Sequence, residues 1–214
     1  MSTVDRVQAS VMGGLLRGRF EPGTWLRQDD LAEELAVSKI PVREALQRLA
    51  ATGLLRFEAN RGAVVPQLTA SDAAEIYELR LGIEPRLLDR AIPRLTIVDL
   101  AEAEVALQSD HLSLTEANWS FHRSLYRAAG WDRGLGVAET LHVAVAPYVL
   151  LYTEQLGGAR DSDAEHLALL DACRHGDRAT AADLLITHLD QAKAALVDVL
   201  DPGDGLSPPT APAG

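Results

Sequence analysis

Apolar residues recur at intervals of three and four along most of this chain, a spacing typical of amphipathic helices. Near the amino terminus the pattern predicts three helices, over residues 4–18, 28–37 and 39–52. A tight turn at Val37-Ser38 separates the second helix from the third, and Ser38 is placed to cap the third. The segment after the third helix has a different pattern and predicts a different element.

That segment predicts a β-hairpin. Two short apolar runs between Leu54 and Val65 flank Asn60-Arg61-Gly62, and a polar turn with a glycine between apolar runs is a hairpin signature. The amino-terminal third therefore has the order helix, helix, turn, helix, hairpin. This is the order of a winged helix-turn-helix, with the hairpin as the wing.

The rest of the chain predicts a helical bundle, because helical spacing continues with short breaks and strand alternation is not convincing. The predicted helices cover residues 71–92, 96–109, 112–129, 134–156, 161–175 and 177–200, with breaks at Pro93, Gly130, Gly157-Gly158 and Gly176.

Together these patterns predict a mainly α protein with two domains. We expect a winged helix-turn-helix domain over residues 1–67 and an all-α helical bundle over residues 71–200. The tail over residues 201–214 is rich in proline and glycine, which predicts disorder.

The third predicted helix carries a polar edge beside its apolar face. Lys39, Arg43 and Gln47 form this edge, and arginine and glutamine can hydrogen bond guanine and adenine in the major groove. Taken alone, such a helix is more often an ordinary amphipathic helix with solvated charges. The complete order with its hairpin favours DNA binding, and we add Arg27 and the wing residues Arg61 and Gly62 to the candidate DNA contacts.

Charge is distributed unevenly along the chain. The formal net charge of −11 by itself argues against a nucleic-acid partner. However, residues 1–66 contain nine basic and eight acidic residues, whereas residues 67–214 contain eleven and twenty-three. Two modules with different partners are therefore indicated.

The sequence also predicts a cytoplasmic protein with no membrane partner. Cys173 is the single cysteine, so no internal disulfide can form. The longest apolar run, from Val143 to Tyr152, has ten residues and falls well short of the roughly 20 needed to span a bilayer.

Three histidines lie on or beside apolar faces of three different predicted helices. They are His122, His166 and His188, and Asn118 lies one turn before His122 on the same side. A single inward histidine is usually a hydrogen-bonded core residue, but bundles build metal sites from inward ligands on neighbouring helices. Imidazoles suit zinc, nickel, iron or copper. If the three bind one ion, they must converge within roughly 8 Å; His142 is ambiguous.

Residues 21–65 resemble the winged helix-turn-helix of GntR transcription regulators. The resemblance implies that Lys39 and Arg43 contact operator DNA. Where that family usually has Ser-Arg-Thr-Pro, this chain has Ser38-Lys39-Ile40-Pro41. Lysine lacks the planar fork of arginine, which favours a phosphate contact at Lys39 and a changed operator or weaker binding. The matching residues are Pro22-Gly23, Leu31-Ala32, Ser38, Pro41 to Leu46, Gly53-Leu54, Arg61-Gly62-Ala63 and Val65.

The stretches "LRLGIEPRLLDRAI", "NWSFHRSLYRAAG" and "EHLALLDACRHGDRATAADLLITHL" resemble the FCD domain, the all-helical ligand-binding half of the FadR subfamily. That domain commonly binds a divalent metal through an aspartate and three histidines. Its histidines correspond to His122, His166 and His188, and Asn118 stands at the aspartate position. Asparagine brings an oxygen but no charge, so the resemblance implies a weaker metal site with a changed preference, or a site that holds water.

The same resemblance implies a pocket for a small carboxylate effector beside the metal. Arg80 is the candidate counter-charge, and a salt bridge with Glu84 one turn later is an equally good interpretation of that arginine.

We therefore predict a metabolite-responsive transcription regulator, a repressor in most of the family, that binds double-stranded operator DNA as a homodimer and is not an enzyme. One competing interpretation is a metal-dependent hydrolase or lyase in the helical half. No general base stands at a recognisable spacing, since Glu165 is expected on a different helix face from His166. The other is a winged helix used for protein contacts.

Overall fold

The computed structural model describes residues 1–59, 61–151 and 160–201. Its amino-terminal part has the predicted order of elements, including the hairpin. Two adjacent antiparallel strands form that hairpin, and a third, two-residue strand pairs with it to give the order β1-β3-β2. The sequence did not predict this two-residue strand, because two residues are too few to show the alternation of apolar and polar positions that marks a strand. The elements are α1 (Thr3–Leu16), β1 (Trp25–Leu26), α2 (Gln28–Glu34), α3 (Lys39–Ala51), β2 (Arg56–Glu58) and β3 (Gly62–Val64).

The turn between α2 and α3 is longer than the sequence predicted. α2 ends at Glu34, and Ala36 adopts a φ of 51°, a left-handed conformation in which the chain leaves the helix. Ser38 is extended and precedes α3 as expected, but its side chain makes no capping hydrogen bond. The apolar faces of these helices then meet in one core, in which α1 packs across α3. Its buried residues include Val7, Val11, Leu15, Leu31, Val42, Ala45, Leu46, Leu49 and Ala63.

In the second part of the chain, helices joined by short turns are the only regular secondary structure among the described residues, as predicted. Pro85 lies inside the first helix of this part, although proline usually breaks a helix. Capping boxes begin the first three, where a threonine or serine and an acidic residue three positions later satisfy free backbone N–H groups. The helices are α4 (Ala70–Ala91), α5 (Ile97–Leu107), α6 (Leu114–Tyr126), α7 (Asp132–Leu151), α8 (Arg160–His175) and α9 (Arg178–Leu200).

Some predictions fall outside the described residues. These are the continuation of the α7 helix over residues 152–156, the break at Gly157-Gly158 and the disorder of the tail beyond residue 201. Within the described ranges, no helix has the combination of length and apolar content that crossing a membrane requires.

Helix α7 contacts both parts of the molecule. Val143 is fully buried in the amino-terminal core, although most of α7 packs in the helical bundle. The Tyr148 hydroxyl donates to the carbonyl of Pro66 and accepts a hydrogen bond from the N–H of Leu68 at 2.7 Å. These contacts hold the segment between the wing and α4 against α7.

Candidate metal centre and nucleic-acid interface

The three predicted histidines converge inside the helical bundle. His122, His166 and His188 come from α6, α8 and α9, and one ring nitrogen of each lies within 4.8 Å of the others. All three side chains are buried. That spacing is close to the roughly 3–4 Å between nitrogens that share one ion, given zinc–nitrogen bonds of about 2.0–2.1 Å. The cluster is therefore able to hold a metal ion.

Asn118 gives a second observation that fits an ion. Its Oδ1 is buried and has no hydrogen-bond partner among the described residues, and the same is true of Nε2 of His122. The two residues are four apart on α6 and so share one helix face. A buried acceptor without a partner costs about 1–3 kcal/mol, which a bound cation would offset. The donor set, three imidazoles and an amide oxygen, suits a borderline divalent ion such as zinc or nickel.

A buried ion pair lies next to the cluster. Nε of Arg80 donates to Oε1 of Glu84 at 2.6 Å, and both residues are on α4. This is the salt bridge that the sequence left as the equal alternative for Arg80. Nη2 of Arg80 lies 2.9 Å from Nε2 of His142 on α7. The ring of His142 is 5.4 Å from that of His122, so this histidine belongs to the wall of the site.

Two carboxylates lie around the histidine cluster, one in direct contact with it and one linked to it through a tyrosine hydroxyl. Oε2 of Glu165 lies 2.6 Å from Nδ1 of His188. Oε2 of Glu84 accepts from the hydroxyl of Tyr126 at 2.9 Å, and that hydroxyl lies 3.1 Å from Nδ1 of His122. Sequence reasoning placed Glu165 on a different helix face from His166 and gave it no role. It reaches α9 from α8, a contact between helices that spacing along one helix cannot reveal.

Burial keeps the histidines neutral. It lowers the pKa of His166 to about 3, with a further contribution from His188. It lowers the pKa of His142 to about 4, with Arg80 acting in the same direction. The pKa of His122 is also held well below its usual range by burial and the neighbouring imidazoles. At neutral pH these rings therefore have lone pairs available, which metal binding requires.

The acid next to them stays charged. Burial alone would raise the pKa of Glu84, but the adjacent Arg80 guanidinium and His142 hold it well below its ordinary value. Burial and Glu84 together raise the pKa of the Tyr126 hydroxyl well above its ordinary value, so this hydroxyl keeps its proton.

A basic concave surface lies on the opposite part of the molecule. It has a volume of about 720 Å³. Four of the predicted DNA contacts line it: Arg27, Lys39, Arg43 and Arg61. They come from the start of α2, from α3 and from the wing, and all four are exposed. Asp29 and Asp30 also line this surface, so the cations outnumber the acids by two.

The two remaining candidates lie elsewhere. Gln47 is exposed on α3, one turn after Arg43, but does not line the concave surface. Gly62 is buried at the start of β3 with a φ of 114°, and a Cβ there would lie 2.2 Å from the carbonyl oxygen of Leu26. The structure thus gives Gly62 a steric role in the wing. Contact of either residue with DNA stays a prediction.

The chain matches two known families over successive parts of its length. Residues 3–65 match the bacterial regulatory proteins of the gntR family, and residues 75–191 match the FCD domain. The second match alone covers more than half of the chain. The chain therefore belongs to the GntR-type bacterial transcription regulators, with an FCD domain after the helix-turn-helix.

Its relatives are regulators as well. The HTH-type transcriptional regulator YdhC of Bacillus subtilis (strain 168) is 32% identical over 120 residues, which are 52% of this chain and 54% of that protein. The chain thus matches about half the length of YdhC. The probable D-xylose utilization operon transcriptional repressor of Paenarthrobacter nicotinovorans is 28% identical over 195 residues, or 88% of this chain and 86% of that protein.

The fold is similar to that of a protein whose structure has been solved. The structure of E. coli McbR/YncC has a TM-score of 0.83 and 25% sequence identity, and the match covers 93% of this chain and 99% of that one. The predicted family and fold class are thereby confirmed. So is the prediction that the chain is not an enzyme, because the family and these relatives are transcription regulators.

Proposed function

We propose that the chain is a transcriptional repressor of the FadR subfamily whose affinity for operator DNA is controlled by a small carboxylate bound beside a metal ion. The observation that carries the DNA-binding part is the convergence of Arg27, Lys39, Arg43 and Arg61 on one concave surface. Cations from a helix-turn-helix and its wing are placed there to contact phosphates and base edges together. The domain boundaries of 1–67 and 71–200 and a cytoplasmic location are parts of the same proposal.

Within that surface we assign the residues different tasks. Arg43 and Gln47 on α3 read base edges, because their side chains form bidentate hydrogen bonds with guanine and adenine. Lys39 and Arg27 contact phosphate, and Arg61 on the wing contacts phosphate or enters the minor groove. Gly62 brings the wing backbone close to the duplex.

DNA binding is tested with a duplex from the region upstream of the protein's own gene. Arg43→Ala is compared with Arg48→Ala, which removes the same charge from α3 at an exposed position paired with Glu44 and Asp5. We expect Arg43→Ala to weaken binding about tenfold or more, since one bidentate base contact is worth about 1–3 kcal/mol. Fluorescence anisotropy measures both. Equal affinities of the two variants for the duplex would show that Arg43 does not contact base edges.

In the helical half we propose that His122, His166, His188 and the Asn118 carbonyl hold a divalent ion. The support is the convergence and burial of the three histidines, together with two buried acceptor atoms on α6, Oδ1 of Asn118 and Nε2 of His122, that lack hydrogen-bond partners among the described residues. When bound, the ion supplies a Lewis-acidic site to which a carboxylate can attach. Metal analysis of the purified protein, with mass spectrometry of any small acid that co-purifies, tests this part.

Arg80 is the proposed counter-charge for the effector. It is buried and already paired with Glu84, so an entering carboxylate would share the guanidinium with that residue and with His142. Effector binding is then expected to disturb the contact between α4 and α7.

Helix α7 links that site to the DNA-binding half. His142 faces Arg80, and the next residue, Val143, is buried in the amino-terminal core. A shift of α7 on effector binding therefore changes the placement of the helix-turn-helix. In a homodimer, two such heads must meet two half-sites at a fixed spacing, so a small shift lowers operator affinity.

A further inference from the structure

We propose that Tyr126 and Glu84 are positioning residues for the metal site, because together they fix the tautomer of His122 that leaves its Nε2 available to an ion. The inference rests on the metal site proposed above and deepens it. It depends on the direction of each hydrogen bond in the series that runs from Arg80 through Glu84 and Tyr126 to His122.

The first step fixes the direction of the Tyr126 hydroxyl. Nε of Arg80 donates to Oε1 of Glu84 at 2.6 Å, and an ionised carboxylate can only accept hydrogen bonds. The Tyr126 oxygen lies 2.9 Å from Oε2 of the same carboxylate. A hydrogen bond there requires the hydroxyl to donate its one proton to Glu84.

The second step fixes the proton on His122. With its proton committed to Glu84, the Tyr126 oxygen can only accept from a further group. Nδ1 of His122 lies 3.1 Å away, so this contact is a hydrogen bond when Nδ1 carries the ring proton. A neutral imidazole has one such proton, and Nε2 is then the atom with the free lone pair. Nε2 is buried and lacks a partner among the described residues, as expected of a metal ligand.

His188 shows the same arrangement with one fewer member. Its Nδ1 lies 2.6 Å from Oε2 of Glu165, and a carboxylate at that nitrogen requires Nδ1 to be the donor. Two imidazoles of the cluster therefore have their tautomer set by an acid, directly in His188 and through a phenol in His122. Removing such an outer partner typically lowers metal affinity about 10- to 100-fold.

Nitrogen-15 NMR of metal-free protein labelled in histidine reads the tautomer directly. We expect His122 to have a protonated Nδ1 in the wild type and to become a mixture of the two tautomers in Tyr126→Phe. Tyr148→Phe is the matched control, because it also removes a buried tyrosine hydroxyl, but one bonded to Pro66 and Leu68. It should leave the His122 signals unchanged.

Zinc affinity, measured by competition with a chromophoric chelator, is the second readout. We expect Tyr126→Phe to weaken zinc binding about tenfold or more, and Tyr148→Phe to leave it unchanged. Glu84→Gln is expected to reverse the direction of these hydrogen bonds, because the amide nitrogen can donate to the Tyr126 oxygen. The Tyr126 hydroxyl then donates to Nδ1 of His122, and the ring proton of His122 moves to Nε2. That variant also leaves Arg80 without its counter-charge, so its fold is checked by circular dichroism. If Glu84→Gln does not fold, Tyr126→Phe decides the question.

The outcomes separate this inference from the site beneath it. A wild-type protein that has the expected tautomer but binds no zinc overturns the proposed metal site, and the positioning role with it. A protein that binds zinc equally well with and without the Tyr126 hydroxyl overturns the positioning role alone. A wild-type His122 protonated at Nε2 also overturns it.

Discussion

Lys39, at the start of α3, forms an ion pair with Asp29 of α2, with 2.8 Å between Nζ and Oδ1. Both side chains are largely exposed and line the basic concave surface. Asp29 therefore competes with phosphate for Lys39 and also repels the DNA backbone. We expect Asp29→Asn to strengthen DNA binding about three- to tenfold at low salt, since an exposed ion pair is worth about 0–1 kcal/mol and repulsion adds to it. Fluorescence anisotropy with the upstream duplex measures the change.

A charge-matched control is available in the helical half. Asp89 of α4 forms an exposed ion pair with Arg178 at 2.6 Å, and Asp89→Asn removes the same charge far from the DNA surface. The gain should be confined to Asp29→Asn and should shrink as salt is raised above about 100 mM, where screening shortens electrostatic reach. Equal gains in both variants would mean that only the net charge of the molecule matters.

Asn118 allows a direct test of the metal ligands. Replacing it with aspartate adds a negative charge to a donor set that is otherwise neutral. Opposite unit charges in contact inside a protein gain several kcal/mol before desolvation is subtracted, so we expect Asn118→Asp to raise zinc affinity about tenfold or more. Asn118→Ala should lower it, because the amide oxygen is lost. Chelator competition measures both, and an unchanged affinity in both variants would show that Asn118 is not a ligand.

Helical spacing was sufficient to predict most of the fold. The apolar stripe of α3 and the glycine in the hairpin turn led to the helix-turn-helix and its wing, and the order of the later helices is also as predicted. The parts that sequence missed are short or conformationally unusual. β1 has only two residues, and Ala36 takes a left-handed conformation that alanine rarely adopts.

Only some residues of the candidate site could be predicted from the sequence, and there is a physical reason why the others could not. His122, His166 and His188 could be found because each lies on an apolar face, where a polar side chain is conspicuous. The roles of Glu165 and Tyr126 could not be predicted. Glu165 acts through a contact between two helices, and Tyr126 has the same sequence pattern as any other core tyrosine. His142 was ambiguous for the same reason: its partner Arg80 is 62 residues away in the chain.

The buried histidines make a prediction for the pH dependence of stability. Histidine in an unfolded chain has a pKa near 6.5, whereas burial lowers the pKa of His142 to about 4 among Arg80, Glu84 and His122. Below about pH 6.5 the unfolded state therefore binds a proton that the native state does not, and stability falls as pH falls toward 4. The slope is about 1.4 kcal/mol per pH unit for each such histidine.

Urea unfolding of chelator-treated protein, from neutral pH down to about pH 4.5, measures this slope. His142→Gln should make the slope shallower by about one histidine. His175→Gln, at an exposed position at the end of α8, is measured beside it as a histidine replacement outside the bundle core. A slope that is the same in wild type and His142→Gln would mean that His142 is already charged in the native state.

Ala36 provides a test of the turn between α2 and α3. Its φ of 51° is costly for a residue with a Cβ, and Ala36 is exposed, so a change there disturbs little packing. We expect Ala36→Gly to raise the free energy of unfolding by up to about 1 kcal/mol, because glycine adopts this conformation without strain. Ala9→Gly is the same substitution at an exposed position inside α1, where it should cost about 1 kcal/mol in helix propensity. Opposite signs in thermal unfolding would establish the strain at Ala36, whereas a loss of stability in both variants would show that this turn is relaxed as it stands.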